Sequence, residues 1–201
     1  MPTFLHVGCG PKRKDQTTRG FLSDAWRELT LDIDPAAGPD FVASMTDMSV
    51  VADASVDALY SSHNIEHLYP YEVETALGEF ARVLRPEGFA IVTCPDLQAI
   101  AALVAQDKLT DPAYQSPAGP IAPIDMMYGL RTALAAGNHF MAHRCGFTLT
   151  VLMAVLRSAG FKEVAGMARP KYFDLWVVAS KTLDQAALRS IAMAHFPGRP
   201  A

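Results

Sequence analysis

The chain has 201 residues, of which 50% are hydrophobic, and it carries a formal net charge of −4 at pH 7. This apolar content is sufficient for the core of one domain of ordinary size, and no second core is required. The basic residues are dispersed apart from Lys12-Arg13-Lys14, which argues against the basic face of a nucleic-acid-binding protein. We therefore expect a small-molecule ligand and no nucleic acid, with a homodimer left open.

The expected cellular location follows from sequence features that are absent and from the cysteines. It shows no charged and then apolar leader and no run of 18 apolar residues, so we expect no signal peptide and no membrane span. Cys9, Cys94 and Cys145 are odd in number and form no close motif, as is typical of reduced thiols. The predicted location is the cytoplasm.

Apolar runs alternate with helical patterns along the chain, which predicts a parallel sheet covered on both faces. Strands are expected near residues 4–7, 28–32, 39–43, 56–60, 88–94, 162–168 and 172–180. Helices are expected near residues 71–84, 97–104, 124–135, 148–159 and 183–194. Only Arg169-Pro170-Lys171 separates the last two strands, so they should form an antiparallel hairpin at one sheet edge.

The first two strands indicate a nucleoside-binding site. The first strand breaks into Gly8-Cys9-Gly10, where small residues let the backbone approach a ligand, and the second ends in Asp32. A carboxylate about 20 residues after a G-x-G turn can bind both hydroxyls of a ribose. The third glycine of the dinucleotide fingerprint is missing, and Pro11 stands where a helix should open under a pyrophosphate. An adenosine-containing cofactor other than NAD or FAD is favoured.

Five segments in order resemble the class I S-adenosylmethionine-dependent methyltransferases. They are LHVGCG, LTLDIDP, FVASMTDM, VDALYSSHNIEHL and ALGEFARVLRPEGFAIVTCPD. The resemblance spans about residues 4–181. It implies a Rossmann-like, doubly wound, mostly parallel seven-stranded sheet with an antiparallel edge hairpin, and S-adenosylmethionine as cofactor. We divide the chain into a methyltransferase domain (1–181), with a lid insertion at about 96–147, and a C-terminal helix and tail (182–201).

The resemblance assigns roles in cofactor binding along the strand ends. Gly8, Cys9 and Gly10 would offer backbone to the methionine moiety, and Asp32 would hold the ribose, with Asp34 as its substitute. The remaining predicted cofactor-binding residues are Ile33, Ser44, Met45, Asp47, Ser61 and Ser62. In the third segment the family often has an acid where Ser44 stands. The Ser44 hydroxyl or the Asp47 carboxylate is then left to accept the adenine amine, while Met45 packs on the ring.

Three histidines are the candidate catalytic residues. Methyl transfer from a sulfonium depends mainly on placement, and an imidazole can remove the one proton that an oxygen or nitrogen acceptor must lose. His63 follows the fourth strand, whereas His139 and His143 follow the lid in an element that resembles the family's H-[KR]-x-G-F. Arg144, Tyr128, Tyr172 and Asp96 complete the expected lining. We expect a small-molecule acceptor, with O-methylation slightly favoured.

Two alternative functions stay open at this point. The segment from His63 to His67 matches H-x-x-E-H, the inverted zinc-protease signature, and His139 and His143 repeat its spacing. A metal hydrolase is disfavoured because the motif follows a strand directly and meets Pro70, so no metal ligand is predicted. The second alternative is a catalytically silent member that binds the cofactor as a regulatory module, suggested by Ser44 and the proline-broken first loop.

Overall fold

A computed structural model of the protein describes residues 1–198, so the last residues of the predicted tail lie outside the described part. Seven strands form one sheet: β1 Thr3–Val7, β2 Arg27–Asp32, β3 Phe41–Val42, β4 Val56–Ser62, β5 Leu84–Pro95, β8 Glu163–Arg169 and β9 Asp174–Ser180. Their order across the sheet is β3-β2-β1-β4-β5-β9-β8. The first five strands run parallel, and β9 pairs antiparallel with both β5 and β8. The predicted fold class is confirmed.

Six α-helices accompany the sheet within residues 1–198. They are α1 Val73–Val83, α2 Leu97–Val104, α3 Pro123–Tyr128, α4 Arg131–Ala135, α5 Leu149–Ser158 and α6 Gln185–His195. Three of them begin at a side-chain cap: Asp96, Thr148 and Asp184 accept backbone N–H groups at the first turns of α2, α5 and α6. None of the helices among residues 1–198 has both the length and the hydropathy needed to span a lipid bilayer.

The two faces of the sheet are covered differently. One face packs against α1 and α5 in a mainly aliphatic core that includes Leu77, Phe80 and Leu152. The other is aromatic: Phe4 and Phe21 stack with ring centroids 4.1 Å apart, and α6 covers them with Leu188. Because only two short 3₁₀ turns, residues 14–16 and 19–21, connect β1 to β2, the C-terminal helix completes the cover of this face.

The predicted helix over residues 124–135 is wrong as a single element. Gly129 adopts φ +99° between α3 and α4, a conformation that L side chains rarely adopt, and a β-carbon there would overlap the backbone of Met141. The preceding proline-rich loop also contains a small hairpin that the sequence did not predict. Its strands are β6 Tyr114–Ser116 and β7 Gly119–Ile121.

The topology brings the chemical residues to one edge. The chain leaves β1 toward β2 on one side, and β4 pairs on the other side, so the carboxyl ends of β1 and β4 flank a crevice. Open α/β sheets bind ligands at such a switch point. Gly8 at the end of β1 and His63 at the end of β4 lie on its two walls.

Candidate active site

A cavity of about 390 Å³ lies at the carboxyl ends of β1, β2 and β4. Its walls come from the loops that follow β1, β2, β3 and β4 and from residues 138–144 at the end of the lid. They include Gly8, Gly10, Pro11, Asp32, Ile33, Asp34, Ala43, Ser44, Met45, His63, Asn64, His67, Leu68, Asn138, Phe140, Met141 and Arg144. A cavity of this volume falls in the range of small-molecule and cofactor sites.

The glycine loop is held in place by Asp32. Gly8 and Gly10 adopt φ +67° and +51°, and the Gly8 N–H donates to the Leu31 carbonyl at 2.8 Å. The Asp32 carboxylate accepts the Gly10 N–H at 2.7 Å through Oδ2 and the Asp34 N–H at 2.9 Å through Oδ1. Asp32 therefore shapes the loop after β1 and the turn after β2 at once, and its side chain also borders the cavity.

Asp34 has a separate structural role. Its side chain accepts the Ala36 N–H at 2.9 Å and caps a 3₁₀ turn over residues 35–37. It still borders the cavity.

Arg13 clamps the cavity's outer rim, a role that the sequence analysis missed. Its guanidinium donates to the carbonyls of Gly10 at 3.0 Å, Ala37 at 2.7 Å and Gly38 at 3.1 Å. These contacts tie the loop after β1 to the turn after β2. A basic residue three positions beyond a G-x-G turn was visible in the sequence, but its partners Ala37 and Gly38 lie more than 20 residues away.

Asn64 is the second residue that the sequence analysis missed. It is buried behind the glycine loop and borders the cavity. A β-carbon on Gly8 would overlap the Asn64 side chain, so this pair decides how closely the ends of β1 and β4 approach.

The predicted cofactor-binding residues divide into two groups. Those that line the cavity are Gly8, Gly10, Asp32, Ile33, Ser44 and Met45. The Ser44 hydroxyl is bonded to Thr46 at 2.7 Å within its own turn. Cys9 and Ser61 are buried and do not line the cavity, and the Ser62 hydroxyl forms a hydrogen bond with Thr93 at 2.8 Å. Asp47 instead borders an open surface cleft of about 610 Å³ beside Glu79 and Arg82, away from the strand ends.

A smaller cavity of about 160 Å³ adjoins the first, and His63, His67 and Met141 line both. Most of its walls come from the insertion between β5 and α5. Its other lining residues are Glu66, Pro95, Tyr114, Ile121, Asp125, Met126, Leu130, His143, Tyr172 and Phe173. Two of these residues are carboxylates. Asp125 forms an ion pair with Arg131 at 2.7 Å, and Glu66 is the other.

His63 stands at the junction of the two cavities. It adopts φ +52°, which is uncommon for a residue with a side chain, and its side chain is 51% exposed. Its Nδ1 lies 3.6 Å from Oε1 of the buried Glu66. Desolvation lowers the pKa of His63, but the attraction of the Glu66 carboxylate outweighs it and the net pKa is raised.

The other predicted catalytic residues lie in different surroundings. His143 lines the smaller cavity, and burial lowers its pKa. His139 lies in a 3₁₀ turn over residues 139–141, is exposed and borders neither cavity. The structure thus brings His63 and His143 to one cavity and leaves His139 outside it.

The four expected lining residues also separate. Tyr172 borders the smaller cavity and Arg144 the larger one. The Arg144 guanidinium donates to the His67 carbonyl at 2.8 Å and lies over the Tyr69 ring. Asp96 is buried as the N-cap of α2, and Tyr128 is 58% exposed and borders neither cavity.

Comparison with known structures shows the same fold in methyltransferases of several organisms. An N1-methyltransferase of 1,6-didemethyltoxoflavin from Burkholderia thailandensis, solved with S-adenosylhomocysteine, is 20% identical, with a TM-score of 0.55 over 90% of this chain and 72% of its own. A Pyrococcus horikoshii protein is 14% identical, with a TM-score of 0.60 over 89% and 81%. A TehB-like methyltransferase from Corynebacterium glutamicum is 17% identical, with a TM-score of 0.52 over 90% and 80%.

Sequence comparison identifies the part of the chain that builds the larger cavity. No curated protein sequence matches the chain. Residues 5–92 match the family model described as a methyltransferase domain, and this segment contains β1 to β4, the glycine loop and Asp32. The chain therefore has the fold of S-adenosylmethionine-dependent methyltransferases, and its residues 5–92 resemble a methyltransferase domain.

Proposed function

We propose that the protein transfers a methyl group from S-adenosylmethionine to an oxygen atom of a small molecule. The observation that carries this proposal is the 160 Å³ cavity that adjoins the cofactor cavity at His63. It lies below the usual 300–1,000 Å³ of ligand pockets, so it suits an acceptor of few atoms. Aromatic and apolar residues dominate its walls, which favours a planar or partly apolar molecule.

The cofactor-binding roles form part of the same proposal. Gly8 and Gly10 leave room for the methionine moiety, Asp32 accepts the ribose hydroxyls, and Met45 packs on the adenine. Residues 96–147 act as the lid: Ile121, Met126 and His143 of this segment form one side of the smaller cavity. The Asp32 proposal is supported by its position at the carboxyl end of β2, where its carboxylate borders the cavity.

His63 is proposed as the residue that takes the acceptor's proton. It is the predicted catalytic histidine that borders both cavities, so it lies between the places of cofactor and acceptor. An imidazole next to a hydroxyl acceptor can remove its proton as the methyl group arrives, while the cavity walls hold the two reactants in line. The sulfonium then leaves as the neutral thioether of S-adenosylhomocysteine.

The test combines cofactor binding with an acceptor screen. Calorimetry should detect the binding of S-adenosylhomocysteine. In a panel of small hydroxyl and amine compounds mixed with S-adenosylmethionine, the protein should release S-adenosylhomocysteine only with the compounds that it methylates. His63→Ala should then lower turnover by about 10²–10⁴-fold, the usual contribution of a general base. His139→Ala is the matched control because its side chain is exposed outside both cavities.

Each result of this test bears on a different part of the proposal. If only amines are methylated, the acceptor atom is nitrogen and not oxygen. If His63→Ala has the turnover of the wild type, His63 is not the general base. Cofactor binding without turnover on any compound would favour a silent binding module.

A further inference from the structure

The buried carboxylate of Glu66 has no hydrogen-bond partner in the part of the chain that the structure describes. The residue is 1% exposed, and both carboxylate oxygens are unbonded. Its nearest ionisable neighbour is His63, whose Nδ1 lies 3.6 Å from Oε1, beyond hydrogen-bonding distance. Burying a carboxylate without partners costs several kcal/mol, so buried charges are normally paired or bound to metal. The wall of the smaller cavity therefore contains a buried carboxylate that no protein group pairs within the described residues.

Two histidines lie beside Glu66, and the hydrogen bonds of their rings leave one nitrogen of each free. His67 Nδ1 lies 3.1 Å from the Ala142 carbonyl, and His143 Nδ1 lies 2.8 Å from the Met126 carbonyl. A carbonyl oxygen only accepts hydrogen bonds, so each Nδ1 must carry the proton and each Nε2 is left with its lone pair. An Nδ1–H bonded to a backbone carbonyl is the arrangement that orients metal-binding histidines.

We propose that Glu66, His67 and His143 bind a divalent transition-metal ion, with the smaller cavity facing its open position. One ligand atom from each residue lies within 4.8 Å of the others, and the two imidazole rings are 4.9 Å apart at 67°. Two imidazoles and one carboxylate are a ligand set of zinc, iron(II) and related ions. Three protein ligands leave one or more positions for water or substrate.

The tertiary structure assembles this set differently from the H-x-x-E-H pattern. That pattern pairs His63 with His67 on one helix, whereas residues 65–67 form a 3₁₀ turn and His63 is not in the cluster. The third ligand is His143, from the far end of the lid. Its neighbour Arg144 donates its N–H to the Glu66 carbonyl at 2.8 Å, which fixes the lid end against this turn. The lid must therefore be in place for the site to exist.

The bound ion would act on the acceptor oxygen, and this consequence rests on the proposed function. A hydroxyl bound to a divalent cation loses its proton more readily, because the cation stabilises the resulting oxyanion. The proton goes to His63, the oxygen lone pair forms the bond to the methyl carbon, and the carbon–sulfur bond pair returns to sulfur. No electron is exchanged with the metal in this step.

The experiment measures metal binding without reference to turnover. Protein stripped with a chelator is titrated with Zn²⁺ by calorimetry and with Co²⁺ by visible absorption. We expect one equivalent to bind to the wild type and to His139→Ala, an exposed histidine of the same insertion. Glu66→Gln, His67→Ala and His143→Ala should each weaken binding by at least about tenfold, because even partners of metal ligands contribute 10- to 100-fold.

Folding and cofactor binding are followed in the same samples. Circular dichroism checks each variant, and Glu66→Gln provides a nearly isosteric substitution should an alanine variant fail to fold. The site is refuted if the folded wild type takes up neither ion, or if Glu66→Gln and His143→Ala bind the ions as tightly as the wild type. Calorimetry of S-adenosylhomocysteine with the metal-free protein tests the cofactor site separately, so the two proposals can fail independently.

Discussion

Replacement of Asp32 tests how the cofactor cavity is built. The Asp32 carboxylate accepts N–H groups from Gly10 at 2.7 Å and Asp34 at 2.9 Å, and hydrogen bonds to charged groups contribute about 1.5–3 kcal/mol each. Both amides lie at the edge of a solvent-accessible cavity, where water can replace part of that loss. We expect Asp32→Ala to lower the free energy of unfolding by about 2–3 kcal/mol, measured by urea denaturation.

Cofactor affinity should fall in the same variant. Loss of a charged acceptor for ribose hydroxyls costs about 1–3 kcal/mol, which corresponds to about 5- to 150-fold weaker binding of S-adenosylhomocysteine in calorimetry. Asp34→Ala serves as the matched control because it removes a carboxylate that accepts the Ala36 N–H rather than the Gly10 N–H. It should change affinity by less than Asp32→Ala.

A ribose-deoxygenated analogue separates the direct contact from loop disorder. The wild type should prefer S-adenosylhomocysteine over the analogue, and Asp32→Ala should lose that preference, because the two changes remove the same interaction. An equal preference in both proteins would refute the ribose contact. If Asp34→Ala alone loses the preference, the role belongs to Asp34.

Three further predictions concern the glycine loop, the C-terminal helix and the lid. Gly8→Val should destabilise the fold, because its β-carbon would overlap Asn64. Gly10→Ala has no atom within 4 Å of its β-carbon, so this variant should fold but bind S-adenosylhomocysteine more weakly. Equal melting temperatures for the two variants would contradict this. Burial lowers the pKa of His195 to about 4, so between pH 6.5 and 4 the unfolded chain binds more protons than the native one. The free energy of unfolding should therefore fall by up to about 3 kcal/mol as the pH falls through that window, and His195→Gln should remove this slope in urea denaturation; an unchanged slope would assign it to other groups. Without ligand, hydrogen exchange in residues 96–147 should be faster than in β4 and β5. It should slow when S-adenosylhomocysteine and an acceptor bind. Uniform protection of all these segments in both states would exclude a mobile lid.

Several elements could be predicted from the sequence because local patterns determine them. The apolar runs that end at Gly8 and Asp32 place two strand ends and their polar residues without knowledge of any distant contact. Helix α2 spans Leu97–Val104, as its apolar pattern predicts. The prediction of one helix over residues 124–135 was wrong, because the hydrophobic periodicity continues through Gly129. The structure breaks the helix there, where the backbone of Met141 approaches this glycine closely.

The sequence by itself determined the sheet, the cofactor class and the residues that follow each strand, because these depend on short-range periodicity and on loops that end parallel strands. Only the tertiary structure decided which of those residues meet. It placed Asn64 behind Gly8, α6 over the aromatic face of the sheet, and His143 beside Glu66 and His67. These contacts join residues that are far apart in the chain. Their distances depend on how the lid and the last helix pack, and this packing cannot be read from a local sequence pattern.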